Sequence, residues 1–183
     1  MEQRHQAWQV QRVITAASVA LFVAKVVAYG MTNSVAVLTD ALESTVNVVT
    51  GFISLYSLRL AVKPRDFDHP YGHGKAELIS ASFEGLLIVV AGLVMVYESC
   101  INLLHPHPLK ALDWGIALLS ATALANFLLG QWSKNAGKKY HSIGLEAGGR
   151  HLQSDTWTTV GIVVGLALVY MTDIAWIDSA TAM

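Results

Sequence analysis

The sequence is poor in charged residues and has almost no cysteine. Only 14% of its 183 residues are charged, whereas 54% are hydrophobic, and the mean hydropathy is +0.47. A soluble domain of this size would carry about 25% charged residues. The composition therefore predicts a membrane protein, and the net charge of −1 argues against binding to nucleic acid.

Further absences exclude several classes of site. The single cysteine, Cys100, rules out a disulfide framework within the chain and a cysteine-based zinc cluster. Because Cys100 lies in an apolar run, we expect a buried structural thiol. The H-E-x-x-H motif of a metalloprotease is missing, and a haem carrier would usually need a second deep histidine besides His151. The sequence therefore does not predict an enzyme.

Long apolar runs dominate the remainder of the chain. They predict an all-α membrane protein, a six-helix transmembrane bundle of which residues 1–183 cover helices 1–5 and the start of helix 6. The predicted helices span about 13–30, 34–59, 78–103, 112–132, 146–171 and 174–183. The last run is about half the roughly 20 residues that a membrane crossing requires. We therefore expect the chain to be a fragment.

Basic residues lie mainly on one side of the predicted bundle. The N-terminus, the end of helix 2 and the 60–77 and 133–145 loops together hold Arg4, Arg12, Arg59, Lys63, Arg65, Lys75, Lys134, Lys138 and Lys139. The opposite loops hold only Lys110. The positive-inside rule then places the N-terminus in the cytoplasm, and we expect a multi-pass protein of the bacterial inner membrane. Lys25, inside helix 1, is interpreted as a snorkelling amine.

Polar side chains lie deep within two of the apolar helices. Asp40, Glu43 and Asn47 follow one another at i, i+3 and i+7 in helix 2, so they share one face. His151 and Asp155 are four residues apart in helix 5. Ionisable groups at this depth in a membrane helix indicate a functional site.

Helix geometry brings the two sets of residues together. Glu43 and Asp155 each lie about nine residues, or roughly 14 Å, inside their helices, which cross the membrane in opposite directions. Glu43 should therefore face Asp155 near the midplane, and Asn47 should face His151. These four side chains form a mixed nitrogen and oxygen site that suits a divalent metal. Asp40, one turn outward, is a candidate third carboxylate or a hydrogen-bond acceptor for the site.

A structural alternative remains open for these residues. Polar side chains also serve as hydrogen-bonded contacts that hold membrane helices together. A bare pair of carboxylates in lipid would repel, however, unless a proton or a cation lay between them. That repulsion favours an ion site.

The loop between helices 2 and 3 holds a second group of candidate ligands. Asp66, His69 and His73 are spaced by three and four residues, and the glycines beside His73 permit a tight turn. These side chains are candidates for a second metal site. A solvated loop whose histidines bind nothing is an equally good interpretation.

Three motifs together resemble the cation diffusion facilitator family of divalent-metal antiporters. They are Asp40-Ala-Leu-Glu-Ser with Asn47, His69-Pro-Tyr-Gly-His73-Gly-Lys75-Ala-Glu77, and His151-Leu-Gln-Ser-Asp155. The resemblance implies six transmembrane helices, a homodimer, and export of zinc or a similar cation in exchange for protons. It also implies a ferredoxin-like cytoplasmic domain after helix 6, which this chain lacks.

The resemblance assigns the transport site to Glu43, Asn47, His151 and Asp155, and the loop site to Asp66, His69 and His73. The family usually has Asp or His where Glu43 stands, and Asp where Asn47 stands. The site here offers two carboxylates rather than three. The resemblance makes zinc the first candidate, but this difference in the ligands leaves iron(II), cobalt(II), manganese(II) and nickel(II) open. The remaining alternatives are a metal-selective channel without proton coupling and a structural membrane protein.

Overall fold

The structure is a computed structural model that describes residues 2–61, 73, 75–104, 109–174 and 176–182. Its helices are α1 (Glu2–Thr32), α2 (Val35–Ala61), α3 (Lys75–Leu104), α4 (Leu112–Tyr140), α5 (Ile143–Thr172) and α6 (Trp176–Thr181). These described residues contain six helices and no strand. The predicted all-α membrane fold is confirmed.

Four helices, α1, α3, α4 and α5, are long and apolar enough to cross a membrane. The remaining long helix, α2, has 27 residues, which also exceeds the roughly 20 residues that a crossing needs. Within its apolar sequence it carries Asp40, Glu43 and Asn47. These polar side chains therefore lie on a helix that is surrounded by other long helices of the bundle.

Two of the helices, α1 and α4, extend far beyond the predicted bounds, whereas α2, α3 and α5 differ from them by three residues or fewer at each end. α1 begins at Glu2 rather than near residue 13, and α4 continues to Tyr140 rather than ending near residue 132. Much of the expected loop 133–145 is therefore helix, and Lys134, Lys138 and Lys139 lie on α4. The reason is that an apolar run marks the part of a helix that lies in lipid, whereas Gln, Lys and Arg favour helix beyond it.

α3 has a broad apolar face that other helices do not cover. Leu86, Val89 and Leu93 are among its exposed side chains. Cys100, on the same helix, is exposed as well, so the expectation of a buried thiol was wrong. In a membrane-spanning helix the apolar sequence around a residue reflects the surrounding lipid and does not show which face packs against protein.

The first residues of α2 are held by contacts from two directions. Asn33 adopts a left-handed conformation with φ 55° and turns the chain after α1, which Asn tolerates better than most residues. Ser34 accepts a hydrogen bond from the Val37 N–H at 3.1 Å and so caps the helix. From α6, Asp178 accepts hydrogen bonds from the Ser34 hydroxyl at 2.5 Å and the Val35 N–H at 2.8 Å. The short α6 is thereby attached to the start of α2.

α4 and α5 pack with their backbones in contact. A Cβ atom at Gly149 would lie 2.5 Å from the Lys134 backbone nitrogen and 2.9 Å from the Gly130 carbonyl oxygen. A Cβ atom at Gly137 would lie 2.6 Å from the Glu146 backbone nitrogen. Glycine is required at these crossing points because the opposing atoms belong to the main chain and cannot rotate away.

Two clusters of buried apolar side chains lie on either side of a polar layer. One cluster contains Val37 of α2 and Ile162 of α5; the other contains Leu58 of α2 and Leu152 of α5. Asp40, Glu43 and Asp155 fall between these two groups along their helices, and His151 lies at the edge of the second. The candidate site thus lies between the two apolar clusters along α2 and α5.

Candidate metal site

Glu43, His151 and Asp155 form the centre of the polar layer. One possible ligand atom from each lies within 4.8 Å of the others. Asp155 is fully buried and His151 is 9% exposed, while Glu43 is half-buried. The antiparallel pairing predicted from the sequence brings the carboxylates of α2 and α5 together at this point.

Asn47 completes the group from α2. From the helix register we expected Asn47 to face His151. In the structure, the side-chain amide of Asn47 donates a hydrogen bond to Oδ2 of Asp155. Nδ1 of His151 lies 3.3 Å from Oδ1 of the same carboxylate, in an orientation that does not make a hydrogen bond. All four predicted transport-site residues therefore meet around Asp155.

Two polar atoms of this group are buried without a hydrogen bond. Among the residues that the structure describes, Nε2 of His151 and Oδ1 of Asp155 have no donor or acceptor partner. Buried polar atoms are normally satisfied, because leaving them unpaired costs free energy. A cation bound between these atoms and Glu43 would supply the missing partner, so the donor set fits a divalent metal as substrate.

Two hydroxyls of α5 connect the group to its surroundings. Thr158 donates to Oε2 of Glu43 at 3.2 Å, and Thr159 donates to Oδ1 of Asp40 at 2.8 Å. Asp40 also accepts a 2.8 Å hydrogen bond from Lys25, and both side chains are 0% exposed. The interpretation of Lys25 as a snorkelling amine was wrong, because its side chain points into the bundle and pairs with α2.

Free space near the site is unequal on its two sides. A cavity of about 520 Å³ is lined by Asp40 and Glu43 together with residues of α3, α5 and α6. Towards the other end of α2, a void of about 20 Å³ is lined by Asn47, Ser54 and Glu84 among others. The site thus has ample space towards the start of α2 and room for about one water molecule towards its end.

Sequence reasoning assigned no role to two glutamates of α3. Glu84 is buried, 8% exposed, beside the small void. Glu77 accepts hydrogen bonds from the Ser142 hydroxyl and, at 2.9 Å, from the Gly144 N–H, at the start of α5. A carboxylate in a largely apolar helix indicates a position with a structural or functional role, but the sequence does not identify the residue that it contacts.

The predicted loop site falls largely outside the described part of the chain. Asp66 and His69 lie outside the described residues, whereas His73 is described just before α3 and is half-buried. The loop site therefore stays a prediction.

Comparison with protein families identifies the chain. The cation efflux transmembrane domain family matches residues 12–183, which is nearly the whole sequence. The chain belongs to the cation efflux family. The resemblance to the cation diffusion facilitators is thereby confirmed, and the chain is an integral membrane protein of a transporter family, not of an enzyme family.

Three curated relatives show the extent of the similarity. An uncharacterized transporter of Synechocystis sp. is 43% identical over 87% of this chain and 51% of its own length. A cation-efflux pump of Pectobacterium carotovorum is 31% identical over 84% of this chain and 51% of its own length. A cation-efflux pump of Yersinia pestis is 27% identical over 92% and 57%. The chain spans about half the length of the relatives it matches.

Proposed function

We propose that this chain moves a divalent metal cation out of the cell in exchange for protons. The observation that carries the proposal is the group of Glu43, His151 and Asp155, whose possible ligand atoms lie within 4.8 Å of one another in a buried layer. Among the described residues, Nε2 of His151 and Oδ1 of Asp155 are buried there without a hydrogen bond. Two relatives bear the name cation-efflux pump, which agrees with this use of the site.

The cation is held by two carboxylates, one imidazole and one amide oxygen. Glu43, Asn47, His151 and Asp155 supply these groups, with the Asn47 amide reoriented to present its oxygen. Such a mixed set suits zinc first, and iron(II), cobalt(II), manganese(II) or nickel(II) next. Asp66, His69 and His73 form a second, cytoplasmic site in this proposal.

Exchange for protons follows from the chemistry of the ligands. A histidine binds metal only when it is neutral, and its unperturbed pKa of about 6.5 lies close to physiological pH. Metal and protons therefore compete for His151. Metal arrival from the cytoplasm displaces protons, and protons from the outer side displace the metal.

The unequal cavities support the proposal that the site opens towards the outer side of the membrane in this arrangement. With the N-terminus in the cytoplasm, the 520 Å³ cavity beside Glu43 lies on the outer side and the 20 Å³ void beside Asn47 on the inner side. The structure then corresponds to a state that releases metal outward. By the family resemblance, we place the protein as a homodimer in the bacterial inner membrane.

Transport by the full chain in proteoliposomes tests the proposal. With an imposed pH gradient and a panel of divalent ions, we expect coupled movement of one or two ions that is lost in His151→Ala and Asp155→Ala. Asp113→Ala, which removes an exposed carboxylate of α4, is the matched control and should transport normally. Normal transport by Asp155→Ala would overturn the site assignment.

The same assay separates the two rival functions. A channel would conduct metal at a rate that does not depend on the pH gradient. A structural membrane protein would show no response to metal, and its polar pairs would serve to hold helices together.

A further inference from the structure

Lys25 and Asp40 form a completely buried ion pair beside the candidate site. Nζ of Lys25 lies 2.8 Å from Oδ1 of Asp40, and both side chains are 0% exposed. Thr159 donates to the same oxygen at 2.8 Å, and also to the main-chain carbonyl oxygen of Asp155 at 2.8 Å. The pair is thus linked through one hydroxyl to the helix turn that carries a proposed ligand.

The second oxygen of Asp40 has no comparable partner. Among the described residues, Oδ2 is buried and makes no hydrogen bond. Asp40 lies one turn from Glu43 on α2, and both residues line the same 520 Å³ cavity. Asp40 is therefore a carboxylate with a vacant oxygen next to the ion site, and its negative charge is balanced by Lys25.

We infer that Lys25 is a resident counter-cation of the transport site. It keeps Asp40 out of the ligand set, so that a bound divalent ion meets two carboxylates rather than three. This inference rests on the proposed function. Without the ammonium group, the vacant oxygen of Asp40 would be free to bind the ion, and the buried negative charge would raise the affinity for any cation.

A count of charges shows what this arrangement achieves. Glu43 and Asp155 together carry −2, Lys25 and Asp40 sum to zero, and His151 is neutral when it binds metal. Summed over these five residues, a divalent ion brings the charge to zero, whereas a monovalent ion leaves −1 and a trivalent ion gives +1. Because net charge is costly to bury, the arrangement favours divalent ions. Lys25 is thus a specificity-determining residue that acts through Asp40.

A double-mutant cycle on the full chain tests the inference. Zinc and cobalt(II) affinities are measured by calorimetry at one fixed pH for the wild type, Lys25→Met, Asp40→Asn and the double variant. We expect Lys25→Met to bind about tenfold more tightly and Asp40→Asn about tenfold more weakly, because the site gains or loses one unit of negative charge. The double variant should return to within about threefold of the wild type.

The matched control is Lys110→Met, which removes an exposed lysine and should leave both affinities unchanged. Opposite signs for the two single variants support the inference, because a merely structural ion pair would weaken binding in both. Equal signs, or two unchanged affinities, overturn it. If Lys25→Met does not fold, the double variant must still bind at least about threefold more tightly than Asp40→Asn.

The same binding measurements, with the His151→Ala variant added, also test the proposed function. If the wild type binds neither ion, or if His151→Ala binds as tightly as the wild type, the transport site is misassigned and the inference fails with it. If His151→Ala loses binding while the Lys25 and Asp40 variants lack the opposite signs, the site stands and only the role of Lys25 is overturned.

Discussion

Asn47 of α2 donates its side-chain amide to the Asp155 carboxylate of α5. The hydrogen bond joins the two helices at the position where a third carboxylate would otherwise stand. The amide donates a hydrogen bond to Oδ2 of Asp155 and adds no charge to the buried layer. The amide at this position therefore links the two helices and adds no charge to the candidate site.

Replacing Asn47 by Asp should strengthen metal binding. The site would then offer three carboxylates, and affinity for divalent ions rises with the number of charged ligands. We expect zinc affinity, measured by calorimetry above pH 7.5, to increase by about tenfold or more. Asn135→Asp, an exposed change on α4, is the control and should have no effect. Unchanged or weaker binding by Asn47→Asp would show that residue 47 does not contact the ion.

Replacing Gly149 by Ala should destabilise the bundle. The added Cβ would meet main-chain atoms of Lys134 and Gly130 within 3 Å, and overpacking of this kind costs about 1–3 kcal/mol. Thermal unfolding in detergent should show a lower midpoint. Gly161→Ala, on the same helix, is the matched control, since its Cβ would meet nothing within 4 Å. If both variants melt together with the wild type, α4 and α5 are not in backbone contact.

Replacing Asp178 by Asn should loosen the attachment of α6 to α2. Asp178 accepts hydrogen bonds from the Ser34 hydroxyl and the Val35 N–H, and a negative charge at a helix N-terminus contributes about 0.3–1 kcal/mol beyond its hydrogen bonds. We expect a lower melting midpoint and faster proteolysis near α6. Asp173→Asn is the control: that residue is exposed and left-handed, a conformation that Asn also tolerates. Equal effects of the two changes would contradict the capping role.

Replacing Glu77 by Ala should weaken the contact between α3 and the start of α5. The variant leaves the Ser142 hydroxyl and the Gly144 N–H without their charged acceptor, a loss of about 1.5 kcal/mol or more. Glu146→Ala breaks an exposed pair with Arg150 and should cost only about 0.3–0.5 kcal/mol. Hydrogen exchange at the first turn of α5 should increase in Glu77→Ala and not in Glu146→Ala. A uniform increase in both would argue against a specific cap.

The meeting of Glu43 with Asp155 followed from the sequence because helix rise is constant. Counting residues from the ends of two antiparallel apolar runs gives the depth of each side chain, and equal depths predict contact. The all-α membrane fold followed for a related reason, since only helices satisfy the backbone over a long apolar run in lipid. Depth along the membrane is thus readable from the chain.

The sequence does not show in the same way how each helix is rotated about its axis, and therefore which of its faces packs against the bundle. Lys25 was interpreted as snorkelling because its depth near the end of α1 permits this, yet its side chain faces α2 and pairs with Asp40. Cys100 lies at an apolar depth but on an exposed face. The end of α4 at Tyr140 was missed because polar residues continue the helix beyond the apolar run from which its end was predicted. Which neighbour a face meets depends on packing across the bundle, and one sequence does not encode that in any local pattern.

The backbone contact between α4 and α5 also bears on how these helices can move relative to α2. Because the main chains approach closely at Gly130 and Gly149, we expect α4 and α5 to move together, so that His151 and Asp155 move with α4. Glu43 and Asn47 lie on α2, so in the proposed mechanism the ion would bridge α2 and the pair formed by α4 and α5. A ligand shifts an equilibrium between two arrangements only by its difference in affinity for them. The free energy that ion binding contributes to the change between the two arrangements is therefore limited by the difference in ion affinity between them.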